Sequence, residues 1–383
     1  MPEITWSGVS ARRLQRHGLT TPLAGGRAVD AAAAMCGAHA QILTAAELSI
    51  GLRLEGATRA DVREALWGDH SLIKTFGPRG TVHLLPARDL AMWTGALAAL
   101  PRNTRPFPEH VRMTAAQIDA VIAAIGAALA ETELTIDELN EEVVARAGRW
   151  AGDLVMPAFQ TNWPRWRQVV DLAAFRGVLC FGPNRGRNVT YTNPRRWMPE
   201  FRPADGDAAL GWLIRSYLHA YGPATPRDVA QWLAVSPKWA GEQFVARSAE
   251  LERVVIEGET AWVVAGDTSV PADPPQGVRL LPYFDAFVVG SHPRARLFPG
   301  AAAQRALAGS QAGNFPVLLV DGIVSGVWHQ RRSGKKIAIT VEPLRPLSVS
   351  ERAALDAAVE RVGEIMEGIP SLTIGTVTVG PHA

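Results

Sequence analysis

The sequence predicts an α+β protein built from three tandem winged-helix units and a C-terminal small β-barrel. Two capped helices followed by a short hairpin recur along residues 1–272. The segment PADPPQG then marks a change of composition, and short apolar strands with turn signals come after it. A chain of 383 residues also exceeds what one core usually organises, since domains run to about 150 residues. These signals divide the chain at 1–110, 111–203, 204–272 and 275–383.

In the first unit AVDAAAAM reads as a helix that Gly37 closes. Thr44-x-x-Glu47 reads as a capping box ahead of AAELSIGLRL, and Thr58 with Asp61 repeats the signal ahead of RADVREALW. LIKTFGPRGTVHLLP follows as two β-prone runs about Gly77-Pro78-Arg79-Gly80, a hairpin.

The second unit opens with the acidic helix ELTIDELNEEVVARAG. RWRQVVDLAAFRGVLCFG reads as a helix running into a strand, and GPNRGRNVTYT as a turn and returning strand. In the third, Thr225-Pro226 and Ser236-Pro237 each open a helix. Proline fits the first helical position because its missing N–H has no intrahelical partner there. LERVVIEGETAWVVA then supplies strand, turn and strand.

From about residue 275, LLPYFDAFVVG, FPVLLVDGIVSGVW and KKIAITVEPL read as strands, SERAALDAAVERVGEIMEG as a helix and LTIGTVTVG as a last strand. Such a set suits a small barrel or a strongly curved sheet carrying one helix. Asp285, alone in its apolar strand, is either a buried acceptor for Arg294 or Arg296 or a site carboxylate. Trp212, Trp232, Trp239 and Trp262 fit helix and strand patterns and read as core of the third unit.

Composition narrows the function. Apolar residues make up 47% of the chain, which favours a folded protein, and no apolar run is long enough to span a bilayer. The N-terminus lacks the apolar stretch of a signal peptide, so a cytoplasmic protein is expected. Cys36 and Cys180 form neither a disulfide framework nor a C-x-x-C pair. There is no phosphate-binding glycine loop, zinc helix, metal-ligand cluster or nucleophile elbow, so no cofactor or metal is expected. A net charge of +2 leaves nucleic-acid binding to local patches.

The best chemical candidate is His39-Ala40-Gln41, in the connector between Gly37 and Thr44. In an extended segment residues i and i+2 project to the same side, so His39 and Gln41 point together and Ala40 packs behind. A neutral imidazole accepts a proton, and an amide both donates to and accepts from one water. The pair therefore either holds an attacking water or bonds to backbone groups at the helix ends.

GAHAQ, LIKTFGPRGTVHLLPARDL, LLPYFDAFVVG and DGIVSGVW…ITVEPLRPLS together resemble the AlkZ-like winged-helix DNA glycosylases, in the same order along essentially the whole chain. The resemblance implies a C-shaped DNA clamp whose concave surface carries a catalytic Gln-x-Gln motif. Gln41 matches that motif and His39 departs from it. It further implies a monofunctional enzyme that hydrolyses the N-glycosidic bond of N7-alkylated guanine, the adducts being those of bulky or intercalating genotoxins. Repair or antibiotic self-resistance would be its role, duplex DNA its partner, and a nucleoid-associated monomer its state.

Candidate DNA contacts fall in three places. Residues 163–196 hold seven arginines, among them Arg165, Arg167, Arg185 and Arg187, against the single acid Asp171, with Trp163, Trp166 and Tyr191 interleaved. The turn His329–Lys336, between strands ending at Trp328 and starting at Ile337, carries Arg331, Arg332, Lys335 and Lys336. Arg79 lies in the first hairpin turn. Each is open to a second reading as a solvated, charged surface, and the acidic ELTIDELNEE as a solvated helix face. The alternative to an enzyme is a non-catalytic winged-helix DNA binder or transcriptional regulator. Such a regulator needs a dimerisation element, and no heptad pattern is evident.

Overall fold

The structure, a computed structural model, describes residues 3–101, 107–158 and 160–382. The chain divides into two compact units, Met1–Asp69 with Ile214–Ala383, and His70–Leu213. Among the described residues no helix is long and apolar enough to cross a membrane.

In the first unit Thr5 caps the helix Trp6–Arg16, its hydroxyl accepting from the Gly8 N–H at 3.1 Å. Thr225 and Asp228 form a capping box at Pro226–Leu233, and Ser236 caps Pro237–Ala246, as the proline-led starts predict. The hairpin Leu251–Ile256/Glu259–Val264 follows, and Glu3–Ile4 joins it as a parallel strand. Ile4, Val9, Val254, Ile256, Ala261 and Val263 make the core between them. Thr58 and Asp61 cap Arg59–Trp67 as expected. The Thr44 box does not form: the helix is Leu43–Gly51 with Ile42 at its cap, so Thr44 is already inside the first turn. Glu47 is buried instead, against Arg63 at 2.7 Å and Arg59 at 3.5 Å.

The C-terminal sheet has the order Val278–Leu281, Val317–Val320, Ile323–Ser333, Lys336–Pro343, Ile369–Ile374. Its first four strands are antiparallel, and the last runs parallel to its neighbour. A parallel neighbour requires a crossover, which the helix Val349–Ile365 provides. The sheet is open, with two edge strands, a half-barrel consistent with the small barrel or strongly curved sheet expected. Leu355, Val359, Val362 and Ile365 of the crossover helix pack against Leu318, Trp328, Ile337 and Ile339. On the other face Phe287, Phe298, Ala302 and Ala306 cover Val317, Leu319 and Val327. Burial on both faces explains why VLLV is uninterrupted by polar residues.

LLPYFDAFVVG is not one strand. The ladder stops at Leu281, and Pro282 has no N–H to continue it. Asp285 then caps the short helix Ala286–Gly290. The last strand ends at Ile374, so TVTVG lies beyond it.

In the second unit the predicted hairpin forms from Leu72–Phe76 and Val82–Pro86. Arg79 and Gly80 turn the chain with φ of 63° and 68°. Helices Ala115–Ala128 and Ile136–Ala147 pack with the short helix Val170–Phe175 around the fully buried Trp166. Cys180–Arg185 and Asn188–Thr192 form the expected returning hairpin, to which Leu134–Thr135 adds. The smaller hairpin Leu154–Ala158/Thr161–Pro164, which sequence patterning missed, precedes Trp166.

Candidate active site

The connector carrying His39 begins where the helix Ala28–Ala34 is closed. Cys36 (φ 58°) and Gly37 (φ 92°) are both left-handed, and the Gly37 N–H returns to the Ala32 carbonyl at 2.9 Å. Gly37 therefore closes the helix as the sequence predicts. A strand of only two residues, Ala38–His39, comes next. Ala38 and Ala40 are buried, His39 is 9% exposed, and Gln41 is exposed at the end of the connector.

His39 lies against Phe284, the two rings stacked with centroids 5.4 Å apart and planes 24° from parallel. His382 meets the Phe284 edge at 5.5 Å, and Tyr283 lies 5.7 Å from His382. Partial burial raises the Tyr283 phenol pKa above its ordinary value.

Two buried ties hold this Tyr283–Asp285 turn to the segments on either side of the connector. The Tyr221 hydroxyl donates to the Met35 carbonyl at 2.8 Å and lies 3.1 Å from the Ala286 carbonyl. Burial pushes its pKa well up, so it remains a donor. Asp285 receives Arg53 through both oxygens, at 2.8 and 2.9 Å, and the Ser49 hydroxyl at 2.6 Å. Asp285 is thus a buried structural acceptor whose partner is Arg53, neither Arg294 nor Arg296. Arg294 instead donates to the Val288, Val289 and Ser291 carbonyls. His17 packs edge-on to Tyr221 at 4.8 Å. Burial, with Arg53 and Arg13 nearby, lowers its pKa well below the usual imidazole range and keeps it neutral.

The arrangement offers one imidazole fixed in plane by an aromatic neighbour and one exposed amide two residues on. No group of acidic, histidine or cysteine side chains able to hold a metal occurs among the described residues. Arg53, Tyr221 and Phe284 were not singled out from sequence. The available signal was mutual: a lone Arg in SIGLRL and a lone Asp in LLPYFDAFVVG, each stranded in apolar surroundings.

The charged candidates divide by what their side chains do. The Arg165 guanidinium donates to the His110, Val111 and Trp150 carbonyls and pairs with Asp153 at 3.1 Å. Arg185 bonds Glu138 and the Glu133 carbonyl, each at 2.7 Å, while Arg196 pairs with Glu133 and Arg176 with Asp119. The excess of seven cations over one acid was thus a property of the window. In space four acids from outside it return, two of them from the acidic segment read as solvated. Arg167 lies over the Trp163 ring at 3.9 Å, and Trp163 is 39% exposed. Arg187 is exposed in its hairpin turn, and Arg79 is half-buried in its own.

At the C-terminal hairpin the strands run further than expected. Ser333 pairs with Lys336, so the turn is Gly334-Lys335 alone. Arg332 donates to the Met366, Glu367 and Gly334 carbonyls, whereas Arg331, Lys335 and Lys336 are exposed.

The model of the family described as DNA glycosylase AlkZ-like matches residues 32–365. The chain belongs to the AlkZ-like DNA glycosylase family. An "Interstrand DNA cross-link repair glycosylase" of Streptomyces sahachiroi is 31% identical over 343 residues, which cover 85% of this chain and 88% of that protein. The solved structure of Streptomyces sahachiroi DNA glycosylase AlkZ is similar with a TM-score of 0.80 at 27% identity, covering 97% of this chain and all of the other. This protein is accordingly a DNA glycosylase acting on DNA, not a non-catalytic regulator, and its mixed α+β fold is that of AlkZ.

Proposed function

We propose that this glycosylase hydrolyses the N-glycosidic bond of N7-alkylated guanine in duplex DNA, its adducts being bulky or intercalating genotoxins, in repair or self-resistance. The observation that carries the reading is His39, held in plane against Phe284 and followed by the exposed Gln41. An N7-alkylated guanine is already cationic. As its bond to C1′ breaks, the electron pair returns to the purine and neutralises it, so no general acid is needed. Water attacks C1′, and its proton passes to His39, while Gln41 orients the water and contacts the deoxyribose or its 5′ phosphate.

In this proposal the recurring helix, helix and hairpin segments at 1–110, 111–203 and 204–272 are winged-helix units. With the half-barrel of 275–383 they form a C-shaped clamp that acts as a nucleoid-associated monomer in the cytoplasm. Arg79, Arg167, Arg187, Arg331, Lys335 and Lys336 contact the duplex. Arg165, Arg185 and Arg332 support the surface through the bonds described for them.

The test is incubation with duplex DNA carrying a defined N7-alkylguanine, with released base and alkali-labile strands measured. Wild type should produce both, and the His39→Ala/Gln41→Ala double variant neither. Unchanged release by that variant would overturn the assignment of these residues. A cross-linked duplex in the same assay tests whether the activity named for the Streptomyces relative extends to this chain.

A further inference from the structure

Beside His39 the chain displays aromatic surface that base hydrolysis alone does not require. Tyr283, Phe284 and His382 are each half-buried, with centroids 6.4 Å apart for Tyr283 and Phe284, 5.5 Å for Phe284 and His382, and 5.7 Å for Tyr283 and His382. These are the separations at which rings attract one another, and a further flat ring can join such a set by covering what remains in water.

The cluster is also rigidly made. Phe284 sits at φ 55°, a left-handed conformation unfavourable for a bulky side chain. Its N–H donates to the Gly313 carbonyl at 2.9 Å, and the His382 N–H donates to the next carbonyl, Asn314, also at 2.9 Å. Gly313 has φ 99°, and a Cβ there would come within 2.9 Å of Val289 and 3.1 Å of Phe284, so this seat accepts only glycine. On the other side Asp285 is fixed by Arg53. An unfavourable backbone held this firmly next to a reactive group marks a preorganised surface.

We propose that Tyr283, Phe284 and His382 form an aromatic subsite beside His39, which takes the planar aromatic part of a substituent carried at guanine N7. The subsite sets which adducts are released fastest, and it rests on the N7-guanine reading above. Phe284 is shared, one ring serving both the His39 imidazole and the substituent. Tyr283 and His382 extend the surface away from the reacting bond.

The experiment compares kcat/KM of the full chain on two duplexes, one carrying N7-methylguanine and the other N7-(2-naphthylmethyl)guanine. Tyr283→Leu should lower the naphthylmethyl-to-methyl ratio about tenfold, and His382→Ala should lower it in the same direction. Tyr283→Phe, which keeps the ring, should hold the ratio within about twofold of wild type. Urea midpoints of the variants show that each is folded. If Tyr283→Leu leaves the ratio at the wild-type value, including the case in which both rates fall together, the rings serve an ordinary base or the fold and the proposal is overturned. If wild type releases neither base, the N7-guanine reading fails and the subsite fails with it. The wild-type arm therefore separates the two failures.

Discussion

The Arg53 guanidinium faces both oxygens of Asp285, and neither side chain is exposed at all. A paired, bidentate contact of this kind offsets the desolvation of both ions only while both are present. Asp285→Asn or Arg53→Met leaves one charge buried without its counter-ion and should destabilise the protein by about 3–5 kcal/mol. Urea unfolding measures it. Because the same pair fixes the turn that brings Phe284 to His39, base release should slow under conditions where either variant remains folded.

Tyr221 makes the second tie. Tyr221→Phe retains the ring against His17 and Tyr217 but removes the donor to the Met35 carbonyl, and should cost about 1–3 kcal/mol. Amide exchange at residues 35–41 should quicken more than exchange in the Val349–Ile365 helix. Equal acceleration at both would show that the hydroxyl supports the fold at large.

His39→Ala should lower the single-turnover rate of base release by about 10²–10⁴-fold, the range for loss of a positioned general base. His39→Gln restores the side chain that the family motif carries and should recover part of that loss. A rate for His39→Gln equal to that of His39→Ala would show that glutamine cannot act from this connector.

The exposed cations should differ from the engaged ones in salt dependence. Each contact with phosphate removed through Arg187→Ala, Lys335→Ala or Lys336→Ala should reduce the slope of log affinity against log salt by about 0.9. Arg165→Ala should act chiefly on stability, because its guanidinium is committed to three carbonyls and Asp153. Filter binding at several salt concentrations, with unfolding curves beside it, distinguishes the two classes.

His83 should make stability depend on acid. It is buried, its Nδ1 lies 2.9 Å from the Thr81 carbonyl, and burial is the main cause that lowers its pKa from 6.5 to about 3. The unfolded chain therefore binds a proton in the window between those values while the folded chain does not. Stability is complete above pH 6.5 and declines as pH falls toward 3, by at most about 1.4 kcal/mol per pH unit for this residue. His17, lowered by its own burial, acts in the same direction. His83→Phe should flatten the decline between pH 6.5 and 4, measured by urea unfolding.

Local rules carried much of the fold into view. Thr58, Thr225 and Ser236 cap helices where their spacing said they would, because a cap is settled within one turn. Thr44 failed for the complementary reason: the helix began earlier, at Leu43, and its Glu47 found arginines on the next helix. Pairing across long separations was not legible. Arg53 and Asp285 each stand as a lone charge in apolar surroundings, but nothing in the sequence says that they pair across 232 residues, and nothing near Arg185 points to Glu138. The position of His39 in a connector was readable from Gly37. Its stacking on Phe284 was not, since that contact depends on how the two segments meet.

Glu3–Ile4 lies beside Leu251–Ile256, and the unit that contains both is assembled from residues on either side of 70–213. On a ribosome the stretch 70–213 emerges as an uninterrupted polypeptide and can bury its own interior early. Residues 1–69 must wait until the partners supplied by 214–383 have been translated, with Arg53 holding a charge whose complement is still unmade. Birth order along the messenger thus runs against completion order in space. The connector carrying His39 is made well before the residues of 214–383 that complete its surroundings.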